Sequence, residues 1–433
     1  MKICVVGLGK LGAPLAAVLA SKGHDVIGID ANPAMVAAIR EGRAPVAEPG
    51  LQARIDAGRA RLTATQSWDE AVADADASFI IVPTPSQADG SFTNDHVLDA
   101  VTRIGAVLRR TGRYHVVNIT STVMPGATDG PIRAALEAAS GLSVPGTVGL
   151  CYNPEFIALG SVVNDMLRPD MILLGESDAR AGDVIEAVYR TVTENAPPVQ
   201  RMALVNAETA KIALNSYVTM KISFGNFIAE LCEKMPGGDA DAVLAALGKD
   251  SRIGSKYLKG ALGYGGPCFP RDNAAITHLA RQLDVQPDLA LATEAINRRQ
   301  ATRLAVLARQ QLPPGGAVAI LGLAYKPGTP VVEESQGVML AAELAQAGIP
   351  VTVHDPLALE NARKVLGERV RHAADLADAV AGAAVIVIAT PDPSFRALAG
   401  IVEQQGSAVV IVDCWRLLAT VPSCARIISV GRH

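Results

Sequence analysis

A chain of 433 residues is too long for a single hydrophobic core, so two or three domains are expected. Hydrophobic residues make up 49% of it and aromatic residues only 4%, a balance that favours buried parallel strands covered by helices over a β-sandwich. The formal net charge of −4 leaves no basic footprint and argues against nucleic acid as a partner.

The six cysteines are scattered, with no CxxC pair and no metal-ligand spacing, so we predict neither a disulfide framework nor a metal site. Cys4, Cys151 and Cys414 lie in or beside apolar runs, where a buried thiol is the ordinary interpretation. No stretch reaches the roughly 18 uninterrupted apolar residues of a membrane-spanning helix, and glycines break the apolar N-terminal run. We expect a cytoplasmic protein that contacts no membrane.

Short β-rich runs alternate with helical stretches in the first half of the chain and again after Leu312. The strand candidates are Ile3–Val6, Asp25–Asp30, Ser78–Val82, Tyr114–Thr120, Gly149–Tyr152, Met171–Gly175, Ala317–Leu321, Pro350–His354, Ala384–Thr390 and Ala408–Asp413. One long helix is predicted from Leu204 to Lys234, and helical character continues to about Gln311, apart from the glycine-rich loop Gly260–Pro270. The pattern predicts an α/β protein in which two Rossmann-like, doubly wound parallel-sheet domains (1–203 and 312–433) are joined by a long central helix and a helical middle domain (204–311).

The turn Gly7-Leu8-Gly9-Lys10-Leu11-Gly12 follows the first strand and opens a helix. Such a turn brings backbone N–H groups and a helix N-terminus to a pyrophosphate. The second strand ends in Asp30, where a carboxylate can hold both ribose hydroxyls and would repel a 2′-phosphate, so NAD is predicted rather than NADP. In the alternative interpretation the glycines serve only a tight turn and Asp30 caps a helix.

Cys268 lies in the segment Gly263-Tyr264-Gly265-Gly266-Pro267-Cys268-Phe269-Pro270-Arg271-Asp272. Three glycines and two prolines around one thiol predict a shaped loop. Arg271 would favour the thiolate, and Asp272 would serve as a base for water. The competing interpretation makes Asp272 the cap of a helix beginning near Asn273.

Lys211 and Asn215 are four residues apart in the long predicted helix and therefore project from one face. A cation and an amide side by side suit stabilisation of an alkoxide or a tetrahedral oxyanion. Because the intervening residues are apolar, we expect the pair to be buried rather than part of a solvated face.

Taken together, these motifs resemble the UDP-glucose/GDP-mannose 6-dehydrogenase family over nearly the whole chain. The matching pieces, in order, are the GLGKLG turn with Asp30, Val82-Pro83-Thr84-Pro85, Ser121-Thr122-Val123, Asn153-Pro154-Glu155-Phe156, the Lys211/Asn215 helix continuing into Lys221-Ile222-Ser223-Phe224, Asp250-Ser251-Arg252-Ile253-Gly254, the GYGGPCFPRD segment, and Gly322-Leu323-Ala324-Tyr325-Lys326-Pro327.

The resemblance implies oxidation of a nucleotide sugar at C6 to the carboxylate with two NAD, through a thiohemiacetal and a thioester on Cys268. Because a second hydride must leave a tetrahedral carbon, covalent addition of a thiol fits this chemistry. The implied catalytic residues are Cys268, Lys211, Asn215, Asp272, Thr122 and Glu155. The implied cofactor contacts are Gly7, Gly9, Leu11, Gly12, Asp30, Thr84, Ser121 and Thr122. The implied substrate contacts are Glu155, Phe156, Lys211, Asn215, Arg252, Tyr257, Lys259, Gly265 and Lys326.

By the same resemblance, 1–203 is the NAD-binding domain, 204–311 carries the cysteine loop and forms a homodimer around the central helix, and 312–433 binds the nucleotide sugar. Arg252 matches an arginine that reaches across the dimer interface. The chain departs from the family pattern at Leu159, where a second glutamate is usual, at Arg271, where lysine is usual, and at Glu333, where arginine is usual. Arg416 is considered as a replacement charge or as a plain surface residue.

UDP-glucose is the first choice of substrate, and GDP-mannose and UDP-N-acetylhexosamines stay open. One rival is a two-electron 3-hydroxyacid dehydrogenase, which shares the glycine turn and the Lys/Asn helix but needs no thiol. Another is a catalytically silent protein that binds nucleotide sugars.

Overall fold

The structure is a computed structural model that describes residues 1–433, and the chain divides into two compact units, Met1–Ile212 and Ala213–His433. The three-domain division at residues 203 and 311 is finer than these units and stays a prediction. None of the helices combines the length and the apolar composition needed to cross a bilayer.

The first unit is built on one eight-stranded sheet. Its strands are β1 (Lys2–Val6), β2 (Asp25–Ile29), β3 (Leu62–Thr65), β4 (Ala77–Ile80), β5 (His115–Ile119), β6 (Val148–Tyr152), β7 (Ile172–Glu176) and β8 (Val199–Ala203). Its helices are α1 (Gly12–Ser21), α2 (Pro33–Glu41), α3 (Leu51–Ala57), α4 (Trp68–Val72), α5 (Asp95–Thr111), α6 (Arg133–Ser140), α7 (Val162–Leu167) and α8 (Ala179–Val192). The strand order is β3-β2-β1-β4-β5-β6-β7-β8. Successive strands are therefore added on one side of β1 up to β3 and on its other side from β4 onward. In doubly wound folds, ligands bind at this switch point between β1 and β4.

Every strand pair in this sheet is parallel except β6 with β7, which is antiparallel. The parallel interior strands β4, β5 and β6 are buried at every residue, because helices cover both faces. The predicted doubly wound fold is confirmed, and the antiparallel step is a local addition near one edge.

Helix α9 (Leu204–Cys232) begins where the long helix was predicted to begin and ends two residues before Lys234. Its residues up to Ile212 belong to the first unit and the rest to the second. The second unit adds the helices α10 (Ala240–Lys249), α11 (Phe269–Gln282) and α12 (Asp288–Gln310).

The second sheet has six strands, all parallel, in the order β11-β10-β9-β12-β13-β14. Its elements are β9 (Val318–Leu321), α13 (Gln336–Gln346), β10 (Val351–His354), α14 (Leu359–Leu366), β11 (Arg371–His372), α15 (Leu376–Val380), β12 (Val385–Ile388), α16 (Leu398–Gln405), β13 (Val409–Asp413) and β14 (Ala425–Ser429). Relative to its first strand, this order repeats that of the first six strands of the larger sheet.

Four strands have no counterpart among the predicted ones, namely β3, β8, β11 and β14. All four lie at the edge of a sheet, and β8, β11 and β14 each include a basic residue in a short, partly exposed run. Edge strands need no continuous apolar run because one side and part of each face meet solvent, so their sequence signal is weak.

Candidate active site

The glycine turn after β1 is shaped by contacts that leave no room for larger side chains at two of its three glycines. A Cβ on Gly7 would lie 2.5 Å from the carbonyl oxygen of Ile81, and a Cβ on Gly12 would collide with the carbonyl oxygen of Gly7. Gly7 also has a φ of +94°, which favours glycine. At Gly9 a Cβ would meet nothing within 4 Å, so this position borders open space. That arrangement leaves a cradle that a pyrophosphate fits.

Asp30, just after β2, is tied to this turn. Its Oδ2 accepts a 2.7 Å hydrogen bond from the backbone N–H of Leu8, and its Oδ1 accepts one from Asn32. The alternative role of Asp30 as a helix cap is wrong, because Asn32 is the residue that caps α2, accepting from the N–H of Ala34. Leu11, at the start of α1, provides no side-chain cap, which leaves this helix N-terminus available to phosphate. The residues present therefore fit NAD.

Ser121 and Thr84 fix the loop that follows β5. The Ser121 hydroxyl accepts from the N–H of Val82 and donates to its carbonyl oxygen, and the Thr84 hydroxyl donates a 2.7 Å bond to the carbonyl oxygen of Thr122. Further along the same loop, the fully buried Glu208 of α9 accepts the backbone N–H groups of Gly126 and Thr128. Sequence reasoning missed Glu208, although its position three residues before Lys211 was a possible signal.

Lys211 and Glu155 lie together in the first unit. The Lys211 ammonium donates a 2.7 Å hydrogen bond to the backbone carbonyl of Glu155 and lies 4.8 Å from the centre of the Phe156 ring. The single hydrogen of the Tyr189 hydroxyl is shared between Oδ1 of Asn153 at 2.5 Å and the Glu155 carboxylate at 3.1 Å. Burial raises the pKa of Glu155 to about 7, while the Tyr189 hydrogen bond and the charge of Lys211 oppose that rise. Glu155 can therefore exchange a proton near neutral pH.

In the second unit, Asn215 contacts Asp272. The amide of Asn215 donates a 2.6 Å hydrogen bond to Oδ2 of Asp272, and the two side chains are buried. Lys211 and Asn215 are thus both buried, as expected. Cys268 is exposed and occupies the N-cap position of α11, and its carbonyl oxygen accepts from the N–H of Asp272.

The N-cap position of Cys268 shows that Asp272 does not cap a helix. Helix α11 begins at Phe269, not near Asn273, so Asp272 lies inside the first helical turn and is not the cap. Its side chain therefore projects from the first turn of a helix whose N-cap residue is Cys268, one turn earlier. A carboxylate near a helix N-terminus is also favourable to the helix dipole.

Two buried asparagines hold the glycine-rich loop that precedes Cys268. Asn226 of α9 accepts from the N–H of Ala261 and donates to the carbonyl oxygen of Leu262. Asn297 of α12 accepts from the N–H of Tyr264 at 2.7 Å and donates to the carbonyl oxygen of the same residue at 3.1 Å. Neither asparagine was singled out from the sequence, because each is more than 30 residues from the loop it holds.

The turn after β9 repeats the turn after β1 with a longer connection. A Cβ on Gly337 would collide with the carbonyl oxygen of Gly322, just as Gly12 packs on Gly7. Asp355, after β10, accepts the N–H groups of Leu323 and Ala324, as Asp30 accepts that of Leu8. Asp355 also accepts from two residues of its own loop, so its carboxylate is saturated by four backbone donors. The Ser335 side chain caps the N-terminus of α13, whereas no side chain caps the N-terminus of α1.

Of the predicted substrate contacts in the second unit, Arg252 is exposed and pairs with Asp250, and no contact joins it to the other candidates. Tyr257 is also exposed, and its ring meets Phe269 edge-on at 6.1 Å. Lys326 is half-buried on the long connection after Gly322, and the backbone of Lys259 packs on Gly225. Gly265 packs against the carbonyl oxygen of Glu334.

Arg416 is not a replacement for the missing arginine. Its guanidinium donates to both carboxylate oxygens of Asp241 and to the carbonyl oxygens of Cys414 and Val430, and its side chain is 7% exposed. The two earlier interpretations, a spare positive charge and a plain surface residue, are therefore wrong. Arg416 is a structural ion-pair residue.

Three family models match successive parts of the chain. They describe the NAD binding domain of the UDP-glucose/GDP-mannose dehydrogenase family at residues 1–193, its central domain at 205–299 and its UDP binding domain at 319–420.

Curated relatives and solved structures agree with these models. The chain is 39% identical to the UDP-glucose 6-dehydrogenase of Haloferax volcanii over 92% of its length and 93% of the relative's. It is 32% identical to the GDP-mannose 6-dehydrogenase of Pseudomonas putida over 92% of its length and 93% of the relative's. The solved UDP-glucose dehydrogenase of Pyrobaculum islandicum, 35% identical, superposes with a TM-score of 0.89 over 100% of this chain and 98% of that one.

Proposed function

Because this chain belongs to the UDP-glucose/GDP-mannose dehydrogenase family and is an NAD-dependent nucleotide-sugar 6-dehydrogenase, we propose that it oxidises UDP-glucose to UDP-glucuronate through Cys268. The UDP-glucose dehydrogenases of Haloferax volcanii and Pyrobaculum islandicum are 39% and 35% identical to it, against 32% for the GDP-mannose dehydrogenase of Pseudomonas putida. The family model that matches its C-terminal part describes a UDP binding domain.

The observation that carries the mechanism is the position of Cys268. Its thiol is exposed at the N-terminus of α11, where the partial positive charge of the helix favours a thiolate. The other cysteines are less accessible, and burial raises the pKa of Cys4 to about 12 and that of Cys151 and Cys414 well above the ordinary thiol value. Cys268 is therefore the thiol best suited to attack a carbonyl carbon.

The four-electron oxidation divides into two parts. NAD, when bound, accepts a hydride from C6 in each of the two oxidations. Lys211 and Asn215 hold the C6 oxygen, and Glu155 takes the hydroxyl proton of the alcohol, a task that a pKa near 7 suits. Once C6 is an aldehyde, Sγ of Cys268 adds to it and the carbonyl oxygen takes the proton that the thiol gives up. The product is a thiohemiacetal whose tetrahedral carbon keeps the hydrogen that is removed as a hydride in the second oxidation.

After the second oxidation C6 is a thioester. Asp272 takes a proton from the water that adds to this carbonyl, the C–S bond breaks, and the carboxylate and the Cys268 thiol are released. Asn215 orients the Asp272 carboxylate for this task. Thr122 orders the water and the proton transfer.

We further propose a homodimer in which α9 lies at the interface. Tyr217, Phe224, Phe227 and Leu231 of this helix are each more than 40% exposed. A row of exposed aromatic and aliphatic side chains on one helix is typical of a surface that a partner covers. Arg252, exposed and without a contact to the other candidates, would then serve a partner's substrate. The cytoplasm stays the predicted compartment.

The experiment that tests the substrate is a panel of UDP-glucose, GDP-mannose and UDP-N-acetylhexosamines with NAD, in which NADH is counted per sugar and the product is identified by mass. UDP-glucose should give the highest kcat/KM, two NADH per sugar and a product carboxylate. If another nucleotide sugar is preferred and also gives two NADH, the proposed substrate is wrong and the proposed mechanism stands. One NADH per molecule would overturn the thioester chemistry.

A further inference from the structure

The loop of residues 260–268, here called the nucleophile loop, has two kinds of support. Its first part rests on helices, because Gly260 packs on the backbone of Gly225 and the two asparagines described above fix Ala261, Leu262 and Tyr264. These contacts involve well-packed helical residues and hold this part in one conformation.

The second part of the nucleophile loop, next to Cys268, rests on a different segment. The N–H of Gly266 donates a 2.9 Å hydrogen bond to the carbonyl oxygen of Glu333. A Cβ on Gly266 would lie 2.6 Å from two carbons of the Tyr325 ring, so the ring packs directly on this glycine. Gly265 in turn packs on the carbonyl oxygen of Glu334. Both glycines are therefore required by the same neighbouring segment.

That segment, residues 323–335, is the connection that lengthens the second turn, and we call it the nucleotide loop because it carries Lys326. Its two ends are fixed, the first by the bonds from Leu323 and Ala324 to Asp355 and the last by Ser335 at the start of α13. Between these ends the N–H of Tyr325 donates a 3.0 Å hydrogen bond to the carbonyl oxygen of Val331. Glu333 and Glu334, just before Ser335, are exposed, and Glu334 has a φ of +50°.

Tyr325 belongs to the nucleotide loop and contacts the nucleophile loop. Its ring packs on Gly266, and the Lys326 ammonium lies 5.9 Å from the centre of the same ring. Burial raises the pKa of Tyr325 to about 12, and negative charge on Cys268 adds to the shift, which places the phenol within electrostatic reach of the thiol. A phosphate that draws Lys326 towards it will therefore act on a ring that supports the residues just before Cys268.

We propose that Tyr325 is a positioning residue that couples binding of a nucleoside diphosphate at Lys326 to the placement of the Cys268 thiol. The inference rests on the proposed roles of Lys326 and Cys268 and adds a link between them. Binding energy from the nucleotide, remote from C6, is thereby used to place the nucleophile.

The test measures alkylation of Cys268 by iodoacetamide in the full-length protein, by mass spectrometry of its peptide, with and without saturating UDP. UDP lacks the sugar and so leaves the C6 position uncovered. The wild type is compared with Tyr325→Phe, which keeps the ring, and Tyr325→Leu, which removes it. Thermal shift by UDP reports binding separately, and Cys268→Ser gives the background from other thiols.

We expect UDP to change the alkylation rate about fivefold or more in the wild type and in Tyr325→Phe, and less than about twofold in Tyr325→Leu, which still binds UDP. If Tyr325→Leu does not fold, Tyr325→Met takes its place with the same expectation. A UDP effect that persists without the ring, or a wild type that binds UDP with no change in alkylation, overturns the proposal. Acid production by Cys268→Ser would instead overturn the thioester mechanism, and it would not alter the effect of UDP on the alkylation rate.

Discussion

The side-chain amide of Asn215 donates a 2.6 Å hydrogen bond to Oδ2 of Asp272, and the two side chains are 6% and 3% exposed. The bond joins the middle of α9 to the first turn of α11, one turn after Cys268. An amide that holds a carboxylate in this way fixes which oxygen is free to accept a proton from water.

Replacing Asn215 by alanine should lower kcat about 100-fold or more, because the variant loses both the donor to Asp272 and a proposed donor to the C6 oxygen. KM for NAD should change little. Steady-state kinetics checks this, with Ser216→Ala as the matched control, since Ser216 is the adjacent helix residue and bonds to Asn273 instead. An Asn215→Ala enzyme with activity close to that of the control would contradict the role.

Cys268→Ser should abolish formation of the acid, because serine is a far weaker nucleophile than a thiolate at neutral pH and a serine ester does not replace the thioester efficiently. Binding of NAD, followed by fluorescence titration, should be unchanged. Cys424→Ser is the control, since that thiol is half-buried and donates to the carbonyl oxygen of Val402. Full acid production by Cys268→Ser would refute the mechanism.

Glu155 should impose a pH dependence on kcat. Its pKa is raised to about 7 by burial, so the carboxylate is largely protonated below that pH, and activity that needs it as a base should rise as the pH passes through about 7. The Tyr189 hydroxyl lowers this pKa by hydrogen bonding, so Tyr189→Phe should move the midpoint to higher pH. pH–rate profiles of both enzymes check this. A midpoint that moves to lower pH in Tyr189→Phe would exclude this role for the hydrogen bond.

His115 should make the fold sensitive to acid. Its ring is fully buried, with Nδ1 2.9 Å from the Ala75 carbonyl oxygen and Nε2 2.9 Å from the Ser78 hydroxyl. The carbonyl can only accept, so Nδ1 carries a hydrogen, and burial disfavours a second one on Nε2. Burial lowers the pKa of His115 from its ordinary value of 6.5 to about 4. Between about pH 6.5 and pH 4 the unfolded chain binds a proton at His115 and the folded protein does not. The free energy of unfolding should therefore decrease as the pH drops through this range.

The loss from this one histidine is on the order of 3 kcal/mol by proton linkage. It can be isolated by comparing the free energy of unfolding of the wild type with that of His115→Asn at several pH values. The difference in favour of the wild type should shrink towards pH 4, whereas the exposed control His96→Asn should show no such trend. A difference that stays constant between pH 7 and pH 4 would show that His115 does not titrate in this way.

Much of the architecture was readable in the sequence because it follows local rules. The glycine spacing of the first turn, the carboxylate at the end of the second strand and the alternation of apolar runs predicted the doubly wound fold, and the ten predicted strands are all present with boundaries shifted by two residues at most. NAD and the enzyme class followed from the same motifs and are confirmed. The edge strands were missed because their residues are only partly buried.

The sequence by itself determined the residues whose roles depend on neighbours a few positions away. Lys211 and Asn215 share a helix face because of the helical period, and Gly7 and Gly12 form a turn because only glycine fits there. What only the tertiary structure decided are the contacts between residues far apart in the chain. Asn297 holds Tyr264, Arg416 pairs with Asp241, and Asp272 became a partner of Asn215 instead of a helix cap. Burial supplies the reason: once water is excluded, each polar group takes the nearest available partner, and the folded backbone, not the local sequence, sets which partner that is.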